Sequence, residues 1–207
     1  MNRIYICLLL ALTLFGCTNA KKENVVVTQK TETPPIKCIE VYTLGNVSDR
    51  LRDAMVDSLK KRYPKCKFVK NLNLPSAAIT TKRNEHVRYR ADLLNLHLSK
   101  MKNRNNIVVG LTSEDIGLDG FRNSAHYGIR GLANGYGKGV AVFSNYRGNE
   151  NELFRLMRHE LAHAFGLHHC PYKGCVMQDQ QGGNKLKNSR AFCESCRSFL
   201  KKNHWKY

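Results

Sequence analysis

Apolar and polar positions alternate from Cys38 to Leu44 (CIEVYTL), the two-residue period of a strand with one buried face. Ser48 is placed to cap a helix whose apolar residues recur at Leu51, Met55, Leu59 and Tyr63 and which Pro64 stops. Cys66 to Leu74 reads as a second strand, and Val87, Ala91, Leu94, Leu98 and Met101 give the spacing of a second helix. Ile107 to Leu111 (IVVGL) is a short continuous apolar run, the signature of a strand buried on both faces. Strand, helix, strand, helix, strand is the order of an α/β sheet with helical crossovers. The glycine-rich stretch Tyr127 to Tyr146 has one clear strand, Val140 to Phe143, expected at the sheet edge behind a loop. Asn149 and Glu152 have the spacing of a capping box, and Leu153, Leu156, Met157, Leu161, Ala164 and Phe165 form the apolar stripe of the helix they open. Ser189 is expected to cap a short last helix with Phe192, Phe199 and Leu200 on its inner face. There is no internal repeat and no sign of a second domain.

The N-terminal residues follow a different pattern. Met1 to Gly16 carries one basic residue, Arg3, followed by the apolar run Ile4 to Phe15, too short to span a bilayer and suited to a secretory signal. Leu14-Phe15-Gly16-Cys17 resembles a bacterial lipobox, in which the cysteine is lipidated and becomes the new N-terminus; an ordinary cleaved signal with an incidental cysteine is the alternative. Thr18 to Pro35 is polar, rich in lysine and closed by two prolines, as in a flexible tether. The expected organisation is therefore a signal peptide over residues 1–16, a tether over 17–35 and one folded domain over 36–207.

Composition changes the picture in one respect. The 207 residues include 34 Lys plus Arg against 16 Asp plus Glu, a formal charge of +18. Such a field favours acidic partners or reflects a solvated basic surface.

The chemistry is concentrated in HELAHAFGLHHC, His159 to Cys170. On a helix His159 and His163 lie one turn apart and converge on one ion. Glu160 points about a hundred degrees away, toward a water on that ion. Gly166 falls where a helix ends on a left-handed residue, so the chain turns back and His169 supplies a third ligand. His168 does not fit the ligand spacing and is expected to face solvent or to support a ligand. Five fixed positions make a chance match rare, and the string is the metzincin pattern of zinc endopeptidases.

Cysteines follow at once. Cys170, Cys175, Cys193 and Cys196 form two close pairs, which suits a closed tetrahedral structural zinc; two disulfides are the alternative that an exported chain permits. Cys38 and Cys66 are a further candidate disulfide, or else two free thiols.

With Met177 lying between these pairs, the stretch His159 to Cys196 resembles the archaemetzincins, also called archaelysins. The resemblance implies an α/β (α+β) fold: a metzincin-like twisted mixed sheet with an antiparallel edge strand, an active-site helix and a small C-terminal zinc-bound subdomain. It implies two zinc ions, a catalytic one on His159, His163 and His169 and a structural one on Cys170, Cys175, Cys193 and Cys196, with Met177 flooring the site.

Three neutral imidazoles leave a position for water of lowered pKa, and Glu160 serves as general base, later passing the proton to the leaving amine. The expected activity is peptide-bond hydrolysis on a peptide or protein substrate, which would pair with the strand around Val140 to Ser144. A non-catalytic zinc-binding envelope lipoprotein is the alternative. No nucleic-acid partner is expected, because the export signal and the intact Glu160 argue against such a module. The expected address is a bacterial cell envelope, with a lipid on Cys17 as membrane anchor.

Overall fold

The apolar run predicted as a buried strand forms the centre of the larger of two sheets. In the computed structural model the described residues are 35, 37–83, 86–120, 127–179, 189 and 191–207, and they fall within one compact unit, Thr33–Tyr207. The expected signal peptide, Cys17 and all of the tether but Pro35 lie outside the described residues. Among the described residues no helix is long and apolar enough to cross a membrane.

Among the described residues the strands and α-helices follow in order: β1 (Cys38–Leu44), α1 (Asp49–Arg62), β2 (Cys66–Leu72), β3 (Ile79–Arg83), β4 (His86–Arg90), α2 (Ala91–Ser99), β5 (Asn106–Thr112), β6 (Asp115–Leu118), β7 (Tyr127–Ile129), β8 (Gly131–Ala133), β9 (Val140–Ser144), α3 (Glu150–Phe165) and α4 (Glu194–Lys202). A five-stranded sheet runs β2-β1-β5-β9-β8 and a four-stranded one β3-β4-β6-β7. In the larger sheet β2, β1, β5 and β9 are mutually parallel, and β8 closes the edge antiparallel to β9.

Every residue of β5 is buried, because both faces of the sheet are covered. Ile39 and Val41 of β1 share one core with Met55 and Leu59 of α1 and Leu161 of α3; Tyr42 and Leu44, on the other face, share a second with Leu94 and Leu98 of α2. Two-residue alternation along β1 thus sorts its side chains between two layers of helix. Cys175, Met177, Phe192, Leu200 and Trp205 belong to the first core, so the C-terminal segment is packed on the same sheet face as α1 and α3.

Capping is largely as expected. The Ser48 hydroxyl accepts from the Leu51 N–H, and the Asn149 side chain from the Glu152 N–H. The Glu152 carboxylate pairs with Arg130 at 2.6 Å.

Four expectations are corrected. Val87 lies in β4, paired with β3, and the helix begins only at Ala91; Val87 and Ala91 happen to share the four-residue spacing, while the β-branched and aromatic residues of HVRYR favour a strand. The second strand ends at Leu72. Val140–Ser144 is not an edge: it is paired on both sides, and the edge is β8, whose three residues are too few to show a period. Ser189 does not cap the last helix; it is buried, Cys193 holds the extended N-cap position, and Phe192 precedes the helix.

Between the sheets lies a buried ion cluster. Asp115 of β6 is 4% exposed, and its Oδ2 accepts from Arg88 Nε of β4 at 2.8 Å and from Arg147 Nη2, just beyond β9, at 2.7 Å. Removing one partner of a buried ion pair leaves uncompensated charge. Asp115→Asn is therefore expected to lower stability by about 3 kcal/mol, read from denaturant unfolding.

Candidate metal centres

Helix α3 ends in a way that fixes two of the three histidines. Gly166 adopts φ 108°, a left-handed conformation that favours glycine, and the chain reverses. The Leu167 carbonyl then meets His163 Nδ1 at 2.6 Å, and the Val176 carbonyl meets His159 Nδ1 at 2.7 Å. A carbonyl only accepts, so both Nδ1 atoms carry the proton. Burial pushes the pKa of His159 down and, helped by the charge of His159, that of His163 down to about 4. Both rings are therefore neutral near pH 7, and each Nε2 presents a bare lone pair.

Those Nε2 atoms stand 3.0 Å apart, and His169 Nε2 is 3.2 Å from that of His163. Two lone pairs at this distance repel, and a cation between them turns repulsion into coordination. Tetrahedral zinc with Zn–N bonds of about 2.0–2.1 Å would separate its ligand atoms by roughly 3.3 Å, so the donor set fits such an ion. The exposed His169 completes the group.

The four cysteines form a second cluster. Cys170 and Cys193 sulfurs are 3.6 Å apart, those of Cys175 and Cys196 3.8 Å, and all four lie within 4.8 Å of one another. A disulfide would require about 2.05 Å. Zn–S bonds of about 2.3 Å give a tetrahedral edge of roughly 3.8 Å. The Met177 and Cys193 N–H groups donate to Cys175 Sγ at 3.4 and 3.3 Å, which favours a thiolate there. Cys38 and Cys66 also carry free thiols, and burial pushes that of Cys66 up to about 12.

The clusters share a backbone. Cys175 belongs to one, the next residue's carbonyl holds His159 of the other, and the Cys170 N–H donates to the Met177 carbonyl at 2.8 Å. Met177 is fully buried.

Glu160 lies beside the edge of the sheet. Asn134 and Ser144 N–H groups bond to the carbonyls of Val140 and Arg130, so by antiparallel alternation Gly131 and Ala133 turn their backbone groups away from β9. On that outer side the Ala133 N–H donates to Glu160 Oε2 at 2.9 Å. Burial raises the Glu160 carboxyl to about 7, with the Ala133 N–H opposing the shift.

Sequence reasoning did not single out Tyr136. The Gly137 N–H donates to the His163 carbonyl and the Gly139 N–H to the Ala164 carbonyl, at 2.8 and 3.1 Å, so this loop satisfies the end of α3. Gly137 and Gly139 both have φ near +71°. The Tyr136 ring, 44% exposed, rests 4.0 Å from His168 and 5.0 Å from His163 between centroids. His168 is exposed and packs on that tyrosine. The available signal was a single aromatic flanked by glycines ahead of an apolar strand.

The family model for peptidase family M54 matches residues 37–202. The chain belongs to peptidase family M54. It is accordingly a zinc metallopeptidase, a hydrolase of peptide or protein substrates. The archaemetzincin of Methanopyrus kandleri is 30% identical over 167 residues, covering 77% of this chain and 89% of that protein. That of Pyrococcus abyssi is 32% identical over 111 residues, covering 46% and 54%. The crystal structure of the Methanopyrus kandleri archaemetzincin superposes with a TM-score of 0.60 at 27% identity, over 81% of this chain and 96% of that one. The fold is also that of the Archaeoglobus fulgidus archaemetzincin complexed with malonate, TM-score 0.59 at 21% identity, over 78% and 98%. The M54 assignment agrees with the resemblance carried by His159 to Cys196.

Proposed function

We propose that the chain holds two zinc ions, a catalytic one on His159, His163 and His169 and a structural one on Cys170, Cys175, Cys193 and Cys196, with Glu160 as general base and Met177 as the floor of the site. The observation that carries this reading is the pair of bare Nε2 atoms at 3.0 Å, held there by two backbone carbonyls. The sulfur separations of 3.6 and 3.8 Å support the second ion.

When bound, a zinc on three imidazoles supplies Lewis acidity and an activated water. The chain's own groups do the rest. A peptide added along the outer edge of β8 would pair with the outward backbone groups of Gly131 and with the Ala133 carbonyl, which brings its scissile bond beside Glu160, where the Ala133 N–H is already engaged. This edge replaces the one expected at Val140–Ser144, whose backbone is paired on both sides. Glu160 is anchored through Oε2, leaving Oε1 to take the proton of the attacking water and deliver it to the leaving amine. Burial raises the Glu160 carboxyl, and the positive charge of a bound zinc would oppose that shift and favour the carboxylate that accepts the proton. Tyr136 forms an exposed aromatic wall beside the histidines.

The sequence also supports an address. We read residues 1–16 as a signal peptide, Cys17 as the lipidated residue and 17–35 as a tether, which would hold the domain at the membrane of a bacterial envelope.

Two measurements test these assignments. Glu160→Gln should retain two zinc ions per chain while peptide hydrolysis falls by roughly 100-fold or more, the scale of general-base catalysis. Equal turnover in both proteins would remove Glu160 from the mechanism. Cys17→Ser should move the protein from the membrane fraction to the soluble fraction; unchanged fractionation would remove the anchor.

A further inference from the structure

A basic cavity pair lies outside the metal centres. One cavity of about 170 Å³ and another of about 130 Å³ share three lining residues, Arg62 at the end of α1, Arg158 of α3 and Trp205 beyond α4. Arg155 also lines the first and Arg197 the second. Each holds several waters' worth of space, since about 15 Å³ of such volume suffices for one. Among the described residues no His, Cys, Asp or Glu side chain lines either cavity, and Tyr207 lines the second.

The charges there are of one sign. Among the described residues no carboxylate lies within 4.0 Å of the guanidinium groups of Arg62, Arg158 or Arg197. Arg158 is half-buried and lines both cavities together with Arg62. Arginines gathered without a counter-charge repel one another, a cost that a bound anion would relieve.

The indole supplies a second, independent observation. Trp205 is 4% exposed, yet its Nε1–H has no acceptor among the described residues. A buried donor left unpaired is costly, and an anion in the cavity would satisfy it. The ring is not free to turn away: it packs edge-on against Phe165 at 5.5 Å and Tyr63 at 6.5 Å, and the next residue's N–H bonds to the Arg62 carbonyl at 2.7 Å. That bond ties the C-terminal segment to α1 beside the arginines.

We propose that Arg62, Arg158 and Arg197, with the Trp205 indole N–H, form a binding site for a phosphate group, borne either by inorganic phosphate or by a phosphomonoester lipid headgroup. Guanidinium forks match tetrahedral oxyanions bidentately, and a dianion offsets three positive charges better than a single carboxylate does. The site is independent of the zinc assignments, because it shares no residue with them.

Trp205 is the single tryptophan of the chain, so its emission reports the cavity directly. The zinc-loaded full chain is titrated with inorganic phosphate at constant ionic strength in chloride. In parallel it is titrated with phosphatidylcholine vesicles containing phosphatidic acid, and with phosphatidylglycerol vesicles of matched charge. A saturable emission change is expected, with affinity weakened at least tenfold by Arg62→Gln and by Arg158→Gln at unchanged zinc content. Arg62 is exposed, so its variant decides the matter should Arg158→Gln fail to fold. Tighter binding to phosphatidic acid than to both inorganic phosphate and phosphatidylglycerol would identify the lipid headgroup as the source; tighter binding of inorganic phosphate would identify the free ion. No saturable change with any probe, or a change that chloride reproduces or that survives Arg62→Gln, would overturn the site. Phosphate bound at the histidines would be unaffected by Arg62→Gln and counts against the proposal.

Discussion

Two imidazole lone pairs held 3.0 Å apart by backbone carbonyls are the constraint around which the rest of the site is arranged. Neither ring can relieve the repulsion by exchanging tautomers, because Val176 and Leu167 each hold a proton on Nδ1. Neither can charge at neutral pH, because burial holds both rings neutral. The fold thus aims both lone pairs at one point, a geometry that suits a cation, and the surrounding elements hold it. Gly166 turns the chain so that Leu167 comes back to His163, and the glycine loop before β9 takes up the last carbonyls of α3. That same loop brings Tyr136 to the face of the site.

The cysteine cluster is part of this arrangement. Residues 175 to 177 run as candidate ligand, carbonyl and buried methionine, so a metal on Cys175 would fix the carbonyl that orients His159. At the other end His169 and Cys170 are neighbours, and the Cys170 N–H is tied to Met177. The two clusters are therefore joined at two points, through His169–Cys170 and through Cys175–Val176. Packing of Cys175, Met177 and Leu200 into the core of β1 and α1 carries this rigidity into the sheet.

Much of the candidate site was legible in the sequence because its candidate ligands come from contiguous chain with fixed spacing. His159 and His163 share a helix face, Gly166 reverses the chain to bring in His169, and the four cysteines come as two close pairs. The sheet centre was legible for a similar reason: IVVGL is apolar on both faces. What escaped notice depends on pairing between distant backbones. Three-residue strands such as Gly131–Ala133 show no period, so the edge was placed one strand too far along, at Val140. The carbonyls of Val176 and Leu167 carry no side-chain signature at all. The β3–β4 hairpin was hidden because Val87 happens to continue the spacing of the helix that follows it.

Through these links the cysteine cluster would position the three histidines of the proposed catalytic site. The most direct test is the zinc affinity of the histidine site in Cys170→Ser, measured by chelator competition alongside zinc content. The account predicts affinity weakened roughly 10- to 100-fold, the scale of changes in the shell that supports a metal's ligands, although Cys170 itself is not a ligand of that zinc. A Cys170→Ser protein that holds its histidine-bound zinc with native affinity would contradict it, leaving the two clusters neighbours only in sequence.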